Sequence, residues 1–279
     1  DCSELFISEY IEGPGNNNAI EIYNPTNATI DLSGYSINRY GNGATSGPDS
    51  WPLSGTITAG QAIAVGNGQL DSVWVSTYWS LPVDPAFYSA CGQHGSGIYP
   101  TPFYFNGDDA MTLEKSGNII DIFGKVGEDP GGAWTDDASA GYTDANGGTW
   151  WTKRQTLVRK ASVMQGVTQN PILFNPTLEY DSLPDATYTG MGSHTCDCSA
   201  TGVNEIDVSY VMYPNPVNSG GAVAVNSNTK VKSIVVINIL GEQIRFDNTI
   251  NTTGFAKGTY IITIEFADGR FAKNKLIVE

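Results

Sequence analysis

Apolar and polar residues alternate with a period of two along much of the chain, in short bursts broken by turn-forming residues. Residues 4–10 read as a strand. Residues 19–24 read as a second, with Ile20 and Ile22 on one face and Glu21 and Tyr23 on the other. Between them, Gly13-Pro14-Gly15-Asn16-Asn17-Asn18 has turn chemistry: Gly accepts positive φ, Pro fixes its own φ, and Asn bonds to nearby backbone. Further strands are predicted at 29–32, 35–37, 61–65, 110–114 and 119–123. Two insertions, 66–105 and 125–175, are rich in Trp, Tyr, Gly and Pro and read as structured loops. Later, 231–237 is the strongest strand, and 258–264 with 271–278 forms a hairpin around Asp268-Gly269. Heptads and solenoid repeats are absent, so the pattern predicts an all-β protein built from sandwiches.

Composition divides this pattern into two pieces. The chain has 279 residues, enough for two domains, and carries a formal charge of −15. Residues 1–201 hold 22 acidic and 7 basic residues, and residues 202–279 hold seven of each, so the first piece carries the whole excess. A field of that sign repels phosphate backbones and anionic headgroups, which argues against nucleic acid as a partner. No apolar run is long enough to predict a transmembrane helix. The small, polar stretch after Cys198 reads as a linker. The expected division is 1–198, a linker at 199–206, and 207–279. The chain opens at Asp1-Cys2 without a basic and apolar leader, as expected of a mature exported form.

The second piece resembles the type A C-terminal sorting domain of the type IX secretion system. The resemblance is carried by Tyr213-Pro214-Asn215-Pro216, then Leu240-Gly241, then Gly258-Thr259-Tyr260, and finally Lys273-Asn274-Lys275-Leu276-Ile277-Val278. It implies an Ig-like module of Bacteroidota that takes folded cargo through an outer-membrane translocon with its shuttle protein. A sortase-like surface protease then removes the module, releasing the cargo or attaching it to surface polysaccharide. The first piece resembles the bacterial lamin-tail domain in the form found ahead of extracellular nucleases. Matching segments include Leu5-Phe6-Ile7-Ser8-Glu9-Tyr10, Asn18-Ala19-Ile20-Glu21-Ile22, Phe105-Asn106-Gly107-Asp108-Asp109, Thr156-Leu157-Val158-Arg159 and Gly192-Ser193-His194-Thr195-Cys196. This resemblance implies a second Ig-like β-sandwich in tandem with the sorting domain. The catalytic segment of those nucleases has no counterpart between the two pieces. Asp71-Ser72-Val73 and Asp181-Ser182-Leu183 resemble the O-glycosylation sequence of the same phylum.

Four constellations carry candidate chemistry. Asp108, Asp109, Glu128 and Asp129 lie in Gly-rich loops and could converge on calcium, which takes six to eight oxygens; the preferred reading is solvated turn acids. Cys91, His94, His194, Cys196 and Cys198 have ligand types that suit zinc, but two disulfides account for all four sulfurs, Cys2 included. A direct Cys196–Cys198 bridge is strained, so each is expected to pair with Cys2 or Cys91. Trp74, Tyr78, Trp79, Trp134, Trp150 and Trp151 could stack on sugars or a partner, though filling space beside the sandwich is the preferred reading. Lys153, Arg154, Arg159 and Lys160 form a basic cluster expected to pair with nearby acids. Neither His sits in a nucleophile motif and no G-x-S-x-G occurs, so no catalytic residues are assigned. These readings describe an exported, non-enzymatic interaction or adhesion protein without a cofactor. The alternatives are a metal-dependent extracellular hydrolase or its accessory subunit, and a glycan-binding module.

Overall fold

A computed structural model describes residues 2–97, 99, 101–200, 210–267 and 271–279. The chain divides into two compact units, Asp1–Thr201 and Gly202–Glu279. Most of the expected linker, 201–206, lies outside the described residues, as does the Asp268-Gly269 turn.

In the first unit the strands are β1 (Phe6–Glu12), β2 (Asn18–Tyr23), β3 (Ile30–Asp31), β4 (Tyr35–Tyr40), β5 (Asp49–Pro52), β6 (Thr56–Ile57) and β7 (Ala62–Asn67). They continue as β8 (Val73–Val75), β9 (Tyr78–Ser80), β10 (Gln93–Gly95), β11 (Ala110–Lys115), β12 (Asn118–Phe123), β13 (Gln155–Arg159) and β14 (Tyr180–Pro184). Two short helices, α1 (Pro85–Ala90) and α2 (Pro176–Glu179), both begin with Pro, whose missing N–H costs nothing at a helix start. A six-stranded sheet runs β10-β7-β2-β1-β13-β14 and packs on a four-stranded sheet, β12-β11-β4-β5. The shared core holds Leu5, Ile7, Tyr10, Ile20, Ile22, Met111, Leu113, Phe123 and Trp134.

Period-two reading located β1, β2, β4, β7, β11 and β12. It missed β13, which lies inside the second insertion and pairs antiparallel with β1. The missing signal has a physical cause: Arg159 occupies an inward, fully buried position where the pattern requires an apolar residue. Its guanidinium bonds to the carboxylates of Asp121 and Glu179 and to the carbonyl of Ile7. A buried charge survives only when paired and hydrogen-bonded in this way.

The other face of the six-stranded sheet is also covered. A register shift between Ile7 and Glu9 turns Phe6, Glu9 and Ile11 outward together, opposite Tyr23, Glu21 and Ala19 of β2. Residues 187–198 run over that face. Tyr188 meets Phe87, the Gly192 N–H donates to Glu21, and His194 packs edge-on to Phe6 and Tyr23. The strap ends at a disulfide between Cys198 and Cys2, which carries the chain into β1.

In the second unit the strands are β15 (Tyr210–Tyr213), β16 (Ala222–Ser227), β17 (Val231–Ile237), β18 (Gln243–Phe246), β19 (Thr249–Asn251), β20 (Gly258–Phe266) and β21 (Phe271–Val278). Sheets β15-β16-β19 and β18-β17-β20-β21 enclose Val223, Ile234, Val236, Ile250, Ile262, Ile264, Phe266 and Leu276. Both units are thus β-sandwiches.

Candidate functional site

The first insertion departs from the sandwich at Leu70 and returns at Leu81. Between them β8 and β9 form a two-stranded hairpin that belongs to neither large sheet. Trp74 stands directly opposite Trp79, and Val75 opposite Tyr78. The two indoles meet edge-to-face with centroids 5.4 Å apart. Such a pair contributes about 0.5–1.5 kcal/mol beyond its buried area and fixes both rings. Nevertheless Trp74, Tyr78 and Trp79 are 54%, 55% and 60% exposed. Leu70 and Leu81 at the base are also exposed, as are the polar Asp71, Ser72, Ser76 and Thr77.

Two side-chain amides, the buried Gln69 and the half-buried Asn16, hold this hairpin in place. The Gln69 side-chain N–H donates to the carbonyls of Ser80 and Leu81, each at 2.9 Å. Asn16 donates to the Ser80 hydroxyl at 2.8 Å and to the Leu81 carbonyl. The Tyr104 hydroxyl bonds to Gln69 and Ser80 from the other side. Hydrogen bonds at the base and the paired indoles on the strands order the hairpin.

The expectation that the six aromatics fill space therefore holds in part. Trp134 is fully buried and donates to Glu128 through its indole N–H, and Trp151 packs on the core. Trp74, Tyr78 and Trp79 correct it: all three are exposed, the two indoles on one face of the hairpin and Tyr78, opposite Val75, on the other. Trp150 is partly exposed, with the Lys153 ammonium 4.4 Å above its ring.

Of the four candidate calcium ligands, Asp109 and Asp129 lie near Asp108, but the four do not converge on one metal shell. Asp109 accepts from the Asn42 and Asn106 backbone and faces Arg39. Glu128 pairs with Lys125, and Asp129 accepts from the Gly131 N–H. Asp109, Glu128 and Asp129 are thus engaged by backbone and cations, whereas one oxygen of Asp108 is buried with no hydrogen-bond partner. Burial, with Asp109 and Asp129 beside it, raises the Asp108 carboxyl to about 6. Among the described residues no group of three or more His, Cys, Asp or Glu is placed to hold a metal ion.

The cysteines require a second correction. One bridge forms, Cys2–Cys198, with a Cα separation of 5.6 Å. The expected second bridge between Cys91 and Cys196 does not, because the two thiols pack at opposite ends of β1 and β2. Cys91 lies with Ile11, Ala19 and Phe87, and Cys196 with Phe6, Tyr23 and Ala62. The zinc set is split in the same way. His94 stacks on Tyr88, whereas burial and the charge of Arg159 lower His194 to about 4 beside Phe6.

The basic cluster pairs with acids in part: Arg154 and Arg159 do, whereas Lys160 serves backbone carbonyls and Lys153 lies over the Trp150 ring. Arg154 meets Asp185, Lys160 donates to the Thr177 and Leu178 carbonyls, and Arg159 is the core cation described above.

The conspicuous site that pattern reading overlooked is acidic. Glu9 and Glu21 are direct cross-strand neighbours, both buried under the strap. Glu21 accepts from the Ser8 hydroxyl and the Gly192 N–H; one oxygen of Glu9 has no hydrogen-bond partner. Burial, with each other's charge adding for Glu9, raises Glu9 to about 8; burial raises Glu21 to about 7. Glu21 does lie opposite Ile20 and Ile22, as the alternation predicts. What alternation cannot reveal is that a distant segment covers it.

In the second unit, the side chain of Asn215 acts as a substitute strand. Its N–H donates to the Lys275 carbonyl at 2.8 Å, and its oxygen accepts from the Ile277 N–H at 2.9 Å. Tyr213-Pro214 and Asn215-Pro216 are cis peptides flanking it. Val217 continues the pairing with Ile277 and Glu279. The edge of β21 from Lys275 onward is therefore closed by its own chain, which leaves no room for strand addition there. Leu276 and Val278 face the core, while Lys273, Lys275 and Ile277 are exposed. Gly241, at φ 84°, completes the turn in which the Asn238 side chain accepts from Leu240 and Glu242. Tyr260, just after Gly258, packs on Phe255 and donates to the Ala256 carbonyl.

Residues 1–127 match the family model of the Lamin Tail Domain, and residues 211–279 match that of the Secretion system C-terminal sorting domain. Neither family is catalytic. The first match ends before β13, β14 and the strap, so the sheet's last two strands lie beyond it. No curated protein matches the chain. Among the described residues no helix is long and apolar enough to cross a membrane.

Proposed function

We propose that this chain, a lamin tail domain joined to a secretion system C-terminal sorting domain, works outside the cell by binding and not by catalysis. The sorting domain makes it a cargo of the type IX system, which leaves it extracellular or on the cell surface. The translocon and its shuttle protein would handle the second unit, through the exposed Lys273, Lys275 and Ile277 face. A sortase-like protease would then cut between the units, either releasing the payload or joining it to surface polysaccharide.

The observation that carries the payload's role is the aromatic hairpin. Three large aromatic side chains more than half exposed, on a hydrogen-bonded hairpin, make poor sense as packing and good sense as a contact. The acids that would serve a hydrolase are instead bonded to backbone or buried in the sheet.

The test is equilibrium binding of the purified chain to intact cells and extracellular matrix of a type IX-competent bacterium, against a Trp74→Ala/Trp79→Ala variant. The native chain is expected to bind and the variant to lose at least tenfold in affinity. Equal binding by both refutes the hairpin's role. Turnover of DNA, RNA or a glycoside by the native chain refutes the non-catalytic reading.

A further inference from the structure

We infer that the hairpin of residues 70–81 is a carbohydrate site whose ligand is an uncharged polysaccharide; this rests on the binding role proposed above. The inference starts from two properties that the hairpin combines. The indoles of Trp74 and Trp79, on one face of the hairpin, offer negative π-surface to solvent. A hydroxyl and carboxylate rim lies immediately beside them, with Asp71 and Ser72 at the base and Ser76 and Thr77 at the tip. A pyranose has the complementary pair of properties. Its C–H face is weakly positive and apolar, and its equatorial edge is lined with hydroxyls that both donate and accept.

Charge selects among the polymers that could stack there. Residues 70–81 contain no Lys or Arg and one Asp. All seven basic side chains of the first unit are engaged elsewhere. Arg39 meets Asp49, Lys115 meets Glu4, Lys125 meets Glu128, Arg154 meets Asp185 and Arg159 meets Asp121. Lys160 serves backbone carbonyls, and Lys153 covers the ring of Trp150. Nothing is left to neutralise a sulfated, uronic or phosphodiester chain against the 22 acids of residues 1–201. The same deficit disfavours anionic lipid. The hairpin's two strands have three residues each, a small patch beside the roughly 800 Å² per partner that a stable protein interface needs.

Geometry points to a chain of sugars more than to a single ring. The two indoles are inclined at 64°, so one flat ring cannot cover both. Successive residues of a polysaccharide, turned relative to one another, can. The amide hydrogen bonds from Gln69 and Asn16 anchor the base of the hairpin at Ser80 and Leu81, and the two indoles hold each other edge-to-face above it.

Native affinity electrophoresis of the full chain provides the test. Gels would contain hydroxyethylcellulose, laminarin, galactomannan or dextran as neutral probes, and alginate or hyaluronan as charged ones. The native chain is expected to be retarded by at least one neutral polymer and by neither charged one. Trp74→Ala/Trp79→Ala should lose at least tenfold in affinity, whereas Trp74→Phe/Trp79→Phe, which keeps aromatic faces, should retain part of it. A urea unfolding midpoint lowered by no more than the loss of one exposed ring pair excludes a folding defect in either variant. The inference falls if no neutral polymer retards the chain, if the alanine variant is retarded equally, or if only charged polymers or phosphatidylcholine vesicles bind. Loss of cell binding by the alanine variant without retardation in any neutral gel would sink the sugar assignment while leaving the hairpin's contact role standing.

Discussion

Substituting Glu9 by Gln tests the buried acid pair, because it removes one ionisable group while preserving the side chain's shape. In the native fold the Glu9 carboxyl sits near 8, against an ordinary value of 4.5. Between those two values the folded chain holds a proton that the unfolded chain has lost. Stability contributed by the neutral form is therefore complete below about pH 4.5 and declines as pH rises toward 8. The slope for one such proton is about 1.4 kcal/mol per pH unit. Comparison with the native chain cancels titrations remote from Glu9, including that of His194, which acts with the opposite sign between about 4 and 6.5; the titration of Glu21, which faces Glu9, moves with the substitution. The variant is expected to match the native chain at pH 5 to within about 1 kcal/mol. Its relative stability should then grow by about 1.4 kcal/mol per unit up to pH 8. Urea unfolding followed by tryptophan emission is the appropriate assay, since the buried Trp134 reports on this core. A stability difference that does not change with pH would show that Glu9 is not held neutral under the strap, and the reasoning would fail.

Other perturbations separate the remaining contributions. Arg159→Met leaves Asp121 buried without its cation and should cost about 3–5 kcal/mol in the same assay; a loss under 1 kcal/mol would contradict the burial of that pair. Cys198→Ser opens a loop spanning 196 residues and should lower stability by about 2–5 kcal/mol. Non-reducing peptide mapping of the native chain should recover Cys2 joined to Cys198, with Cys91 and Cys196 alkylated only after unfolding; a Cys91–Cys196 peptide would overturn the assignment. Asn215→Ala removes two hydrogen bonds to β21 and should destabilise the second unit by about 1–2 kcal/mol, leaving the first unit's transition unmoved. Intact mass of the secreted protein would show whether the exposed Ser72 and Ser182 carry glycans, expected as added hexose masses and contradicted by the bare polypeptide mass.

Much of the fold was legible because one face of each main strand is apolar. Ile20 and Ile22, or Ile234 and Val236, announce their sheets through alternation alone. The elements that escaped did so for identifiable reasons. Around β13 a buried Arg159 breaks the apolar pattern, and its carboxylate partners, Asp121 and Glu179, are 38 and 20 residues away. The strap has no periodicity because it is not a strand; it covers Glu9 and Glu21 through backbone N–H groups and scattered aromatics. Strict alternation sets Glu9 on the face of Leu5 and Ile7; the register shift after Ile7, which the pattern does not announce, turns it under the strap. The aromatic hairpin was visible as a Trp- and Tyr-rich stretch, but exposure depends on which side of the hairpin each ring occupies. Trp134 and Trp79 look alike as letters and differ entirely in burial. The cysteine pairing is legible in part: Cys198 pairs with Cys2 as expected, while the distance along β1 and β2 keeps Cys91 from Cys196.

The account rests on export of a binding payload by its C-terminal unit. The most direct measurement is the location of the full chain and of a chain ending at residue 209, each expressed with the same export leader in a type IX-competent host. The full chain should be recovered from the medium or the protease-accessible cell surface, and the shortened chain from the periplasm. Equal appearance of both outside the cell, or retention of the full chain in the periplasm, would contradict the account.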